Sequence, residues 1–154
     1  DLIATAICRP ELDVAGDWAF GHYTHEKNPV TTRAALTTIE IIEDEDLVEN
    51  AAEVGARALE RLGNLMADCP AVGDVRGRGL VLGIELVRDR VSKEPDGDGA
   101  EAVLYRALDE GLSFKTTMGN VLTLTPPLTT SAQEMDRALD ILEGAIRGLA
   151  TGRQ

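Results

Sequence analysis

The stretch Gly21–Val30, GHYTHEKNPV, gathers two histidines, a tyrosine, a threonine, a lysine and an asparagine into ten residues. Three chemistries compete for it: a metal site, a catalytic loop, or a polar loop that caps a helix. His22 and His25 form H-x-x-H, which holds a metal when it lies on a helix beside an acidic partner, as in H-E-x-x-H. Here the pair precedes a helix start and has no such partner. No metal is therefore expected. Asn28-Pro29 is that helix start, because Asn caps with its side-chain oxygen and Pro fits the first turn without losing a needed donor. Thr24 sits just before it, where a hydroxyl and backbone N–H groups can meet an anion. Two readings stand at this point: an anion-binding loop around Thr24, or a cap at Asn28 followed backwards by an ordinary polar loop.

Other motifs exclude more than they offer. GRGLVLG superficially resembles a dinucleotide loop, but its glycine spacing is wrong and it leads into a strand. Pyrophosphate binding needs a helix N-terminus at that point. The glycines there fit a bent strand that approaches another backbone closely. No G-x-S-x-G, phosphate-binding loop or Ser/His/Asp set is present. Cys8 and Cys69 lack any CxxC spacing, so neither a zinc site nor a disulfide framework is expected.

The elements that would position such residues can be read from periodicity. Ala34, Ala35, Ile39 and Ile42 recur at helical spacing after Asn28. Leu47, Ala51, Val54, Ala58, Leu62 and Leu65 make a second helical stripe that ends before Cys69-Pro70. From Val72 to Val87 the period changes. Leu80, Leu82, Ile84 and Leu86 share one face of a strand half-buried against helices. RDRVSKEPDGDG is read as an exposed turn, and a short helix from about Ala100 to Glu110 is closed by Gly111 as a left-handed cap. LSFKTT and NVLTLT are read as strands joined through Met118-Gly119, the second halted by Pro126-Pro127. A last helix opens on the capping box Ser131/Glu134 and carries Met135, Leu139, Leu142, Ile146 and Leu149 on one stripe.

From Asp46 onward this order predicts an α/β unit with helices on one face of a small sheet. Residues 1–45 include the apolar LIATAIC and a Trp but close no unit of their own, so they are expected to pack on something else. With 154 residues, 44% of them hydrophobic and only 3% aromatic, the core must be built from Leu, Ile, Val and Ala. A net charge of −12 argues against nucleic acid and anionic membranes as partners. No run approaches the ~20 apolar residues that span a bilayer. The reading is a cytoplasmic protein with reduced thiols.

GHYTHEKNPVTTRAALTTIEIIEDEDLVENAAEVG, then VGDVRGRGLVLGIELV, then NVLTLTPPLTTSAQEMDRALDILE resemble, in order and spacing, the C-terminal part of class III aminotransferases. These are pyridoxal-phosphate enzymes that include ornithine, acetylornithine and 4-aminobutyrate aminotransferases. The similarity runs from about Leu2 to Leu149. It implies a fold type I transferase. Residues 1–45 would be the tail of the large cofactor-binding domain, with the phosphate loop and an interdomain helix, and residues 46–154 the C-terminal small α/β domain. It also implies that Thr24, four residues before the Asn-Pro step, hydrogen-bonds the phosphate of pyridoxal 5'-phosphate across a homodimer interface. Further implied partners are the rest of the same polypeptide, an amino donor and a 2-oxo acid acceptor.

Two departures from the family pattern refine the expectation. The family's lysine, which forms a Schiff base with the cofactor and then moves a proton, has no counterpart. Lys27, Lys93 and Lys115 are the lysines of this chain, and none stands in that context. The chain is thus expected to be an enzyme segment that does not catalyse transamination alone. Second, many members carry Arg in the strand before the double proline, where it grips a substrate carboxylate. Here that position is Thr123. A hydroxyl does not replace a guanidinium as a carboxylate clamp, so Thr123 points to a donor such as an amine, an ω-amino acid or an aminophosphonate. A lyase or aminomutase of the same family, and a non-enzymatic α/β binding module, remain as alternatives.

Overall fold

The computed structural model describes residues 9–12 and 28–151. The chain divides after Glu45 into two units. In the first, the described residues form a short 3-10 turn at Pro10–Leu12 and helix α1, Pro29–Asp44. Asn28 caps α1 as the sequence predicts: its side-chain oxygen accepts from the Val30 N–H at 2.9 Å, and Pro29 occupies the first turn. No residue of α1 is buried, and Leu36, Ile39 and Ile41 are exposed.

The second unit is built from α2 (Leu47–Asp68), β1 (Val72–Arg78), β2 (Val81–Asp89), β3 (Glu94–Pro95), α3 (Gly97–Asp109), β4 (Lys115–Thr117), β5 (Val121–Leu124) and α4 (Ala132–Thr151). Its sheet runs β1-β2-β5-β4, with β3 attached to the far end of β2. All pairings are antiparallel. Register fixes which residues share a face. Leu82 lies opposite Leu124 and Ile84 opposite Leu122. Together with Leu86 these side chains form one cluster with the predicted stripe of α2 from Ala51 to Leu65, with that of α4, and with Ala100, Val103 and Ala107 of α3. The opposite face carries Asp74, Arg76, Glu85, Lys115, Thr117 and Thr123, none of them buried. One face covered and one open gives the alternation that made the strands legible.

Local chemistry explains the helix ends. At α4 the Ser131 N–H donates to Glu134 at 2.9 Å and the Glu134 N–H to Ser131 Oγ at 3.3 Å, the reciprocal arrangement expected of a capping box. At the end of α3 the Leu112 N–H reaches Ala107 O at 2.8 Å and the Gly111 N–H reaches Leu108 O at 3.0 Å. This is a Schellman motif, for which Gly111 supplies the positive φ of 92°. The guanidinium of Arg90 donates to the carbonyls of Met66, Cys69 and Val72, satisfying oxygens where α2 ends and β1 begins.

Two expectations are corrected. The glycines of GRGLVLG do not bend one strand but turn a hairpin, β1 passing into β2 through Gly79-Leu80 between the paired Arg78 and Val81. Gly79, at φ 54°, provides the left-handed residue that a two-residue turn needs, while Leu80 folds inward and is buried. The segment RDRVSKEPDGDG is not simply an exposed turn. Glu94–Pro95 pairs with β2, Asp96 is buried, and its carboxylate accepts from the Gly99 N–H at 3.1 Å. That cap starts α3 at Gly97, three residues before the predicted start near Ala100.

Candidate functional site

The sequence singles out Thr24 and Thr123. Thr24 lies outside the described residues, as do His22 and His25. Thr123 is placed on β5, on the open face of the sheet, half-buried. Leu122 and Leu124 beside it point into the core, so alternation turns the Thr123 hydroxyl outward. Its hydroxyl lies 2.8 Å from that of Thr117 on β4.

A row of paired positions crosses the sheet at this level. Arg76 on β1 faces Gly83 on β2, Gly83 faces Thr123 on β5, and Thr123 faces Lys115 on β4. Directly paired residues project from the same face with Cβ atoms about 5 Å apart. Arg76 is already engaged: its guanidinium lies 2.6 Å from Asp74 and 2.8 Å from Glu85. Those hydrogen bonds, the one to Asp74 first, hold it above its ordinary value. Gly83 contributes no side chain. Lys115 is exposed, and its ammonium makes no ion pair or hydrogen bond with another described residue.

Beside this row is a hollow of about 470 Å³ at the point where β5 leaves the sheet toward α4. Its polar lining is Ser113, Lys115, Thr123, Thr125 and Thr130. Phe114, Leu124, Met135 and the two prolines form its apolar floor and walls. These residues do not fit a complete pyridoxal-phosphate site, because no acid lines the hollow to meet a pyridine nitrogen. Hydroxyls and one ammonium suit a small oxyanion instead. Sequence reasoning singled out Thr123 by its place in the family motif and treated Lys115 only as a lysine in the wrong context. A turn at Met118-Gly119 alone would set Lys115 against Leu122; the loop holds a third residue, Asn120, and that register sets Lys115 against Thr123. Among the described residues no group of histidine, cysteine and acidic side chains could hold a metal, and no helix is long and apolar enough to cross a membrane.

Comparison with known proteins agrees with this architecture. The chain is 46% identical over 94% of its length to an (R)-1-hydroxy-2-aminoethylphosphonate ammonia-lyase of Vibrio splendidus, covering 30% of that protein. It is 45% identical over 86% of its length to a leucine/methionine racemase of Thermococcus litoralis, again covering 30% of the relative. Among solved structures, an aminotransferase of Bacillus anthracis superposes with a TM-score of 0.73 at 41% identity, over 78% of this chain and 28% of that one. The chain thus spans about a third of the length of the relatives it matches. The family model for class-III aminotransferases matches residues 4–146, and with these relatives it establishes that the chain belongs to the class-III aminotransferase family.

Proposed function

We propose that this chain is the C-terminal part of a pyridoxal-phosphate-dependent aminotransferase that moves an amino group from an amine or ω-amino acid to a 2-oxo acid. The observation that carries the choice of donor is Thr123. It occupies an outward-facing position of β5 where the family resemblance expects a carboxylate-gripping arginine, and its hydroxyl is paired with Thr117 rather than with a cation.

In this reading residues 46–154 are the small domain, and residues 1–45 end the large domain with a loop and an interdomain helix. Thr24 donates its hydroxyl to the cofactor phosphate in the site of a second copy. The lysine that would hold the cofactor belongs to polypeptide outside this chain, which alone is not competent. Pyridoxal phosphate, when bound, supplies the electron sink that labilises a bond at the amine-bearing carbon. The chain's own part is to wall the substrate side of the cleft with Thr123, its hydroxyl partner Thr117 and the hollow that Thr123 and Lys115 line. The setting is cytoplasmic, with the rest of the polypeptide and a homodimer partner completing the site.

A second reading is favoured by the ammonia-lyase at 46% identity over 94% of the chain. A lyase on an aminophosphonate also needs no α-carboxylate clamp. The same assay separates the two. A protein that joins this chain to its cofactor domain is given an amine donor with and without pyruvate or 2-oxoglutarate. Product amino acid that depends on the acceptor supports the aminotransferase. Ammonia released without an acceptor selects the lyase, and strict activity on leucine, methionine or ornithine overturns both.

A further inference from the structure

We infer that Lys115, with the hydroxyl pair Thr117/Thr123, forms a recognition subsite for a tetrahedral oxyanion, a phosphonate or phosphate group carried by the amine substrate. The inference rests on the proposed reading for its biological setting, but the subsite is argued from this chain's own residues. Lys115 stands directly opposite Thr123 in the β4–β5 register, so both side chains leave the same face of the sheet. Both also line the hollow where β5 exits. Thr117 Oγ1 and Thr123 Oγ1 are 2.8 Å apart.

The donor count favours an anion. In a hydroxyl pair one O–H is used between the partners, and the accepting hydroxyl keeps its own proton for an outside oxygen. The ammonium of Lys115 adds three donors and has no acceptor among the described residues. The neighbouring cation on this face, Arg76, differs in being bound by Asp74 and Glu85. Gly83, between Arg76 and Thr123, places no side chain there, and the Val121 and Arg76 side chains lie over it.

The type of anion follows from the donors. A planar carboxylate is best held by the two parallel N–H groups of a guanidinium, which this row does not offer. An ammonium acts as a point charge indifferent to that planarity, and a tetrahedral group presents oxygens to the ammonium and the hydroxyl at once. In a chain of net charge −12, general electrostatic attraction does not draw anions to this face. Binding there must come from the local donors.

The test uses the 154-residue chain itself, without cofactor. Methylphosphonate is titrated into isotopically labelled protein at constant ionic strength, and amide shifts are followed by NMR. The expected result is a saturable, roughly millimolar response centred on Lys115, Thr117 and Thr123, with acetate at least five-fold weaker. K115Q is expected to weaken methylphosphonate binding by five- to ten-fold while K93Q leaves it unchanged. Equal binding by acetate, or an unaltered response in K115Q with its fold intact by the dispersion of its spectrum, overturns the proposal. Methanesulfonate, tetrahedral but singly charged, should fall between the two; a response stronger than that to methylphosphonate also overturns it. Because these readouts need no turnover, the subsite fails or stands separately from the aminotransferase reading, which is judged with a neutral amine donor.

Discussion

At Ser131 a single side chain decides how the longest run of buried residues in α4 begins. Its hydroxyl donates to Glu134 Oε2 at 2.7 Å, its own N–H donates to the same carboxylate oxygen at 2.9 Å, and its oxygen accepts the Glu134 N–H. The carboxyl of Glu134 is held below its ordinary value of 4.5, first by the Ser131 N–H and then by the Ser131 hydroxyl. A depressed acid contributes stability that is complete above the unfolded value and disappears as the pH falls through the folded one. Ser131→Ala should therefore cost about 1 kcal/mol at pH 7, read as a lower urea midpoint with an unchanged slope. The difference from the natural chain should shrink as the pH is taken below the ordinary range of glutamate. A gap that widens on acidification would contradict the assignment. This box was readable from sequence because its partners lie three residues apart. Lys115 and Thr123 were not read as a pair because their proximity depends on a register that only the folded sheet displays.

Between elements, the tightest approach is that of α2 to the hairpin turn. A Cβ on Gly55 would overlap the carbonyl and Cα of Gly79, which are backbone atoms and have no side-chain freedom with which to yield. The helix and the turn are thus in direct contact through two positions without side chains. Gly55→Ala gains roughly 1 kcal/mol of helix propensity, but overpacking costs about 1–3 kcal/mol and rigid backbone places it at the upper end. A net loss of about 1–2 kcal/mol is expected from denaturant unfolding. Gly63→Ala is the control on the same helix, since a Cβ there meets nothing within 4 Å. It should stabilise by about 0.5–1 kcal/mol, and similar stabilisation by both substitutions would rule out the contact. The same contact explains the limits of sequence reading. Helical stripes such as Leu47 to Leu65 repeat and announce themselves, and every residue predicted for that stripe is buried. Across the Gly79-Leu80 turn the inward positions change from odd (Val75, Gly77) to even (Leu82, Ile84), a switch of phase with few apolar residues on β1 to announce it.

For the molecule as a whole, the division of labour between the two sheet faces governs what this chain can do. One face is sealed by α2, α3 and α4 around Leu82, Ile84, Leu86, Leu122 and Leu124. Ion pairs tie the covering helices together on the outside, with Arg57 to Asp136 and Arg61 to Asp140 and Glu143 linking α2 to α4. The other face carries Asp74, Arg76 and Glu85 around the buried Val121, and it presents the threonine pair and Lys115. The covered face was legible from hydrophobic period, whereas the chemistry of the open face became legible only through the family's motifs and the strand register. On the proposed reading the open face is a substrate wall and not a cofactor anchor, so the chain's reaction with pyridoxal phosphate should be unselective. Lys93 donates to Gly73 O at 2.9 Å at the sheet's margin, and Lys115 is exposed, so neither is enclosed in a pocket that would hold an aldehyde against its amine. The chain mixed with one equivalent of the cofactor and reduced with borohydride should yield little pyridoxylated protein by intact mass, spread over several amines. A single stoichiometric adduct on one lysine, formed at micromolar cofactor and removed by a Lys-to-Met change there, would show that this chain anchors the cofactor itself and would overturn the assignment of that lysine to polypeptide outside it.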